Sequence, residues 1–179
     1  MYIQSMKTIL KITKNELSTL FYSPIAWLIL IIFTFQSGMA YAEAWADALR
    51  SQALGYTVYG ATERLLLGWS GAISSMQEHL YLYIPLLTMG LMSQEYNRGS
   101  IKLLYSSPVT NKQIIFGKYL SMIIYALILV AILFIYYAFT AFTIKAIDTP
   151  FVMTALLGIF LMICAYAAIG LFMSSLTSY

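Results

Sequence analysis

Apolar positions along this chain fall into long unbroken blocks, and the charged positions are crowded into the gaps between them. Residues 17–42, 119–144 and 149–179 contain no Asp, Glu, Lys, Arg or His. Each block exceeds the ~20 apolar residues that cross a ~30 Å hydrocarbon core. No water reaches the backbone at that depth, so each segment must satisfy its own N–H and C=O groups, which predicts helices. The blocks place spans at 24–42, 119–142 and 151–173. A further span is predicted at 74–92. Its apolar part, Leu80–Met92 (LYLYIPLLTMGLM), is short, so the span must start near Ser74 with Glu78 and His79 in the headgroup zone, where charge costs less than at the centre. Pro85 falls in mid-span and predicts a kink.

Residues 1–22 follow a different pattern. On a helical wheel Ile3, Met6, Ile9, Leu10, Leu17, Leu20 and Phe21 share an arc of roughly 120°. Lys7, Lys11, Lys14 and Ser18 occupy the neighbouring arc, and Ile12 is the one apolar residue off the stripe. A basic amphipathic helix of this kind lies along a membrane surface, apolar face in the acyl boundary and lysines toward anionic headgroups. Ser23-Pro24 ends it, and Pro24 can open the first span. Ile25–Phe35 followed by Ala40-Tyr41-Ala42 resembles a cleavable signal, but the patterned segment in front of it argues against cleavage. Trp27, Tyr41 and Trp45 are expected as interfacial anchors. The 43–73 connection carries Gly55, Gly60, Gly68 and Gly71 as turn signals. In the last block Ala155, Gly158, Cys164, Ala165, Ala167, Ala168 and Gly170 are small, which implies a packed helical partner rather than a lipid-facing surface.

Charge sets the orientation. Lys7, Lys11, Lys14, Arg98, Lys102, Lys112 and Lys118 lie on one side of the predicted membrane, and Arg50, Arg64 and Lys145 on the other. The positive-inside rule then puts the N-terminus and the 93–118 loop in the cytoplasm and 43–73 outside, and the membrane is expected to be the plasma (inner) membrane. Composition agrees: 9% of residues are charged, where a soluble domain carries about 25%. The single cysteine, Cys164, excludes a disulfide within the chain.

Catalytic chemistry is not apparent. His79 stands beside Glu78 without a second His or Cys at metal-ligand spacing, and neither an HExxH, a G-x-S-x-G nor a phosphate loop is present. No catalytic, cofactor or metal site is expected, nor a nucleic-acid partner. Every charge sits at an interface or in a loop, which argues against ion-coupled transport and places the energy source outside the chain.

The 93–118 loop is the informative segment. Glu95 is followed by a turn at Arg98-Gly99-Ser100, then Ile101, Lys102, Leu103 and Leu104, and Pro108 stops the stretch. Thr110 or Asn111 can cap the helix that leads through Ile114, Ile115 and Gly117 into the 119–142 span. Two readings of the short apolar-faced stretch stand open: a docking surface for a soluble protein, or a helix floating on headgroups.

At these residues the chain resembles the permease subunits of ABC transporters of the ABC-2 type. The resemblance lies in Glu95, Gly99-Ser100, Leu103-Leu104, Pro108-Val109 and Gly117-Lys118. KNELSTLFYSPIAW, IPLLTMGLMSQE and GLFMSSLT are similar too, and the nearest branch is the gliding-motility-associated permeases with their Gldg-type relatives. The resemblance implies an all-α polytopic membrane protein of four spans with a surface helix and a cytoplasmic coupling helix. In it Leu103 and Leu104 would plug a groove on a separate ABC ATPase, Glu95, Arg98 and Lys102 would make polar contacts, and Gly99 would permit the turn. ATP and Mg would be bound by that partner, and a second permease subunit would complete an exporter. Such permeases carry six spans, so the chain looks truncated after its fourth. The alternative is a membrane scaffold or assembly factor that recruits another soluble protein through 93–118; a lipid-modifying enzyme lacks an acid–base pair.

Overall fold

The structure is a computed structural model that describes residues 2–55, 63–68, 71–97, 110–144 and 148–176, with side chains described from residue 6 and outside 63–64 and 90–97. Every regular element among these residues is helical. Helix α1 spans Tyr2–Tyr22, α2 Pro24–Ala53, α3 Ala72–Asn97, α4 Asn111–Thr143 and α5 Thr149–Leu176, with a π-helical turn at Glu63–Leu67.

The helix ends follow from local chemistry. The Ser23 N–H bonds back to Thr19 and Leu20 carbonyls, closing α1. The Ser23 hydroxyl then accepts the Ile25 N–H at 3.3 Å, and Pro24, which has no N–H, takes the first position of α2. At α4 the Gln113 side chain accepts the Thr110 N–H at 3.0 Å, half of a capping box that makes Thr110 the cap. Asp148 performs the same service for α5, accepting the Phe151 N–H at 3.4 Å.

The helices of all four predicted spans run past their bounds, with α3 reaching Asn97, five residues beyond 92, and two of them run furthest. The first continues from residue 42 to Ala53, so the 43–73 connection begins as helix. Glu43, Asp47 and Arg50 are all exposed there, and Asp47 and Arg50 pair at 3.8 Å one turn apart, so the extension carries its charge in solvent. The helix of the third predicted span begins eight residues before 119, at Asn111. Helix α3 continues through Pro85.

Three helices, α2, α4 and α5, are long and apolar enough to cross a membrane. Their outward faces confirm the solvent: Ile31, Phe35, Ile135, Leu161 and Phe172 are each more than half exposed, an apolar surface that water would not tolerate over a contiguous area. Helix α3 has the length, about 39 Å at 1.5 Å per residue, but Gln77, Glu78 and His79 lower its hydropathy. Its later half is apolar on both faces, with Leu80, Ile84 and Leu87 buried and Leu82, Leu86 and Met89 exposed.

The chain divides into two compact units, residues 1–28, 82–126 and 163–179 in one, 29–81 and 127–162 in the other. The second unit is cored by Phe33, Leu66, Met76, Leu80, Leu129, Leu133 and Ile159. Tyr41 is buried in this unit. Its hydroxyl meets the Thr140 hydroxyl at 2.7 Å, and its ring lies against Tyr136 and Phe139.

In the first unit α5 packs on α3 through Gly170. A methyl at Gly170 would lie 2.8 Å from Thr88 Cβ, and the Ser174 hydroxyl donates to the Met89 carbonyl at 3.0 Å. Within this chain Ala167 and Gly170 are buried, while Gly158, Ala165 and Ala168 are exposed. Small side chains form a seam only where a neighbour faces them. Gly170→Ala is therefore expected to lower the melting temperature of the detergent-solubilised protein by an overpacking cost of about 1–3 kcal/mol. Gly158→Ala, with nothing within 4 Å, leaves it unchanged or raised; equal melting of the two variants would contradict the packing.

Candidate functional site

Lysine is almost never fully buried without a partner, because removing an ammonium from water costs several kcal/mol. Lys118 is 1% exposed. It stands two turns into α4, on the stripe Ile114, Gly117, Lys118, Ser121, Met122, Tyr125 that faces the unit's interior. Its Nζ donates to Glu16 Oε1 on α1 at 2.9 Å, and the Glu16 side chain is itself only 11% exposed. A charge-assisted bond of this length is the condition under which both groups can leave water.

Around the ion pair the two helices approach closely. Gly117 makes that possible: a methyl there would lie 2.6 Å from Ile12 Cγ2. The Thr13 hydroxyl sits 2.9 Å from the Ile9 carbonyl of its own helix and 3.1 Å from the Gly117 carbonyl, sharing its proton across the contact. Ile12, Thr13, Glu16 and Leu20 thus form the docking face of α1. That face is rotated from the apolar stripe read in the sequence. Ile12, off the stripe, is the residue that meets Gly117, whereas Met6 and Leu10, on it, are more than half exposed.

The α1–α2 elbow is tied to the same helix. Tyr125 donates its hydroxyl to the Ala26 carbonyl at 2.9 Å in a buried bond, and its ring lies 6.2 Å from Phe21. Trp27, about half exposed, donates its indole N–H to the Phe21 carbonyl at 2.8 Å. Tyr119, on another side of α4, donates to the Cys164 carbonyl of α5 at 3.3 Å.

Of the residues singled out in the sequence, Lys7, Lys11 and Lys14 are exposed on α1. Glu16 is the one acid in that helix, and its withdrawal against Lys118 leaves the exposed face cationic. Glu95 lies in the last turns of α3, and its side chain is outside the described residues. Arg98, Gly99, Ser100, Lys102, Leu103, Leu104 and Pro108 lie outside the described residues altogether. The flanks of that segment are described: α3 is held to α5 at Thr88 and Met89, and α4 to α1 at Gly117 and Lys118. The Glu16–Lys118 pair was not foreseen, since Lys118 reads as a loop cation. The signal was present in Ile12 and Glu16, one turn apart at the edge of the apolar arc.

Comparison with known proteins gives one family. The family described as ABC-2 family transporter protein matches residues 10–178. An uncharacterised protein of Bacillus subtilis (strain 168), YhcI, is 37% identical over 54 residues, which cover 30% of this chain and 17% of YhcI. No solved structure matches the chain.

The ion pair makes a stability prediction. Lys118→Met takes the ammonium away from the Glu16 carboxylate in a site with little access to water and is expected to cost about 3 kcal/mol. The double variant Glu16→Met/Lys118→Met removes both charges and is expected to melt close to the wild type. Thermal unfolding in detergent checks this; additive losses in the double variant would mean the two groups do not interact.

Proposed function

Because this chain belongs to the ABC-2 family of transporter proteins, we propose that it is the membrane subunit of an ATP-binding-cassette exporter, driven by a separate cytoplasmic ATPase. The observation that carries this reading is the family match, which covers residues 10–178 and so includes every proposed span and the 93–118 loop. The ATPase binds ATP and Mg, and the loop docks on it. Leu103 and Leu104 supply the apolar plug, Glu95, Arg98, Ser100 and Lys102 its polar edge, Gly99 the turn and Pro108 the stop. A second permease subunit completes the pathway.

Helix α3 is the fourth span in this arrangement. Its charged start, Glu78 and His79, faces outside, and the N-terminus and 93–118 face the cytoplasm of the plasma membrane. The support is its length and the apolar residues on both faces of its later half. Helix α1 lies on the cytoplasmic leaflet with Lys7, Lys11 and Lys14 toward headgroups and Met6 and Leu10 toward acyl chains. Its exposed cationic face and exposed apolar edge support that placement.

Two experiments test the reading. With Cys164 replaced by Ser, a cysteine at Glu78 should react with a membrane-impermeant maleimide in intact cells, and one at Lys112 only after lysis. Both are exposed positions, so labelling of both from one side would remove α3 as a span. Purified from its native cell, the chain should bring a stoichiometric ATPase with it. Leu103→Asp/Leu104→Asp should abolish that association, because two buried carboxylates cost several kcal/mol at a docking surface, while leaving membrane insertion intact. Undiminished ATPase binding by the double variant would refute the plug; a different soluble partner would favour a scaffold.

A further inference from the structure

We propose that Glu16 and Lys118 are positioning residues that hold α1 in a single register on α4. Helix α1, the first turns of α4 and the α1–α2 elbow then move as one lever when the 93–118 segment is displaced. The proposal rests on the coupling role given above to that segment.

Three attachments carry it, one above another along α4. Ile12 and Thr13 close on Gly117, Glu16 bonds Lys118, and Phe21 with the Ala26 carbonyl meets Tyr125. Apolar contacts alone tolerate sliding, because one methyl replaces another at small cost. The ion pair does not. A slip of one turn, about 5.4 Å, would part the Lys118 ammonium from the Glu16 carboxylate and would drive a different side chain toward Gly117. A buried ion pair adds little stability over an apolar pair of the same volume; its best-attested use is to fix register.

The position gives register a purpose. Lys118 lies seven residues beyond Asn111, where α4 begins inside the 93–118 segment. Tyr125 holds the carbonyl of Ala26, in the first turn of α2. A displacement at the start of α4 therefore reaches α1 and the start of α2 through bonded contacts rather than through lipid.

The test uses spin labels on Lys14→Cys and Lys112→Cys, both exposed positions, in a Cys164→Ala background reconstituted in nanodiscs. With the native pair the expected interlabel distance is narrow and identical with ADP and with vanadate-trapped ATP when the ATPase is bound. Glu16→Met/Lys118→Met should fold, yet add a population displaced by about one turn, ~5 Å. Its stimulation of the partner ATPase should fall about tenfold. The swap Glu16→Lys/Lys118→Glu should restore both the narrow distance and the stimulation, which a merely structural role for the pair would not require.

A nucleotide-dependent change of distance in the native-pair protein would overturn the lever. A narrow distance with wild-type stimulation in the apolar pair would overturn the positioning role. The distance is also read on the membrane chain alone, so a chain that engages no ATPase refutes the coupling role while the register is still decided.

Discussion

Hydrocarbon offers no hydrogen bonds, and nearly every polar feature of this chain is a response to that constraint. Within the long helices the hydroxyls turn back on their own backbone. Thr34 donates to the Leu30 carbonyl, Ser37 to Phe33, Thr88 to Ile84, Thr140 to Tyr136 and Thr154 to Pro150. Each is an i to i−4 bond, so a serine or threonine can enter an apolar helix without bringing an unsatisfied group with it. Where a hydroxyl also reaches a second helix, as Tyr41 does to Thr140, the same economy ties helices together at a depth where apolar attraction between them is weak.

Charge obeys the constraint more strictly. The described cations and anions stay clear of the middle of α4 and of all of α5, and the one buried salt bridge among the described residues lies near the start of α4, at the margin of its apolar run. There the pair can form because Gly117 brings two backbones close enough for a short bond. Further along α4 the corresponding stripe positions are Tyr125, Leu129 and Leu133, and polarity is confined to a hydroxyl. Along the first half of this helix the stripe passes from ion pair to phenol to hydrocarbon, and buried polarity returns only toward its other end, at Tyr137 and Thr140.

Much of this was legible in the sequence, and the parts that were not share a cause. Charge-free blocks located α2, α4 and α5, since the hydrophobic requirement of a span is a property of the segment itself. Ser23-Pro24 and Thr110 declared helix ends because capping is also local. Pairwise facts were illegible. Whether Tyr41 faces lipid or Thr140, whether Gly158 or Gly170 meets a neighbour, and whether Lys118 belongs to a loop or a core all depend on a residue distant in the chain. Ile12 shows the limit best. On the wheel it was a flaw in an amphipathic pattern, and against Gly117 it is the point of contact. The docking segment with Leu103 and Leu104 remains read from sequence resemblance, because it lies outside the described residues.

The two flanks of that segment differ in kind, and the difference bears on how force would travel. At α3 the attachment to α5 is made of Thr88, Gly170, Ser174 and a carbonyl, all neutral groups that can exchange partners within the helices at the cost of one hydrogen bond. At α4 the attachment to α1 includes two full charges with little access to water, whose separation costs more than the loss of a neutral hydrogen bond. A push on the segment between them therefore meets one flank that can adjust and one that can only move whole. Under load the adjustable joint yields first, so α1 would follow α4 while α3 and α5 shift against each other. A protein that must change shape in a membrane needs both kinds of joint, and in this chain they stand on either side of the loop through which the energy is proposed to enter.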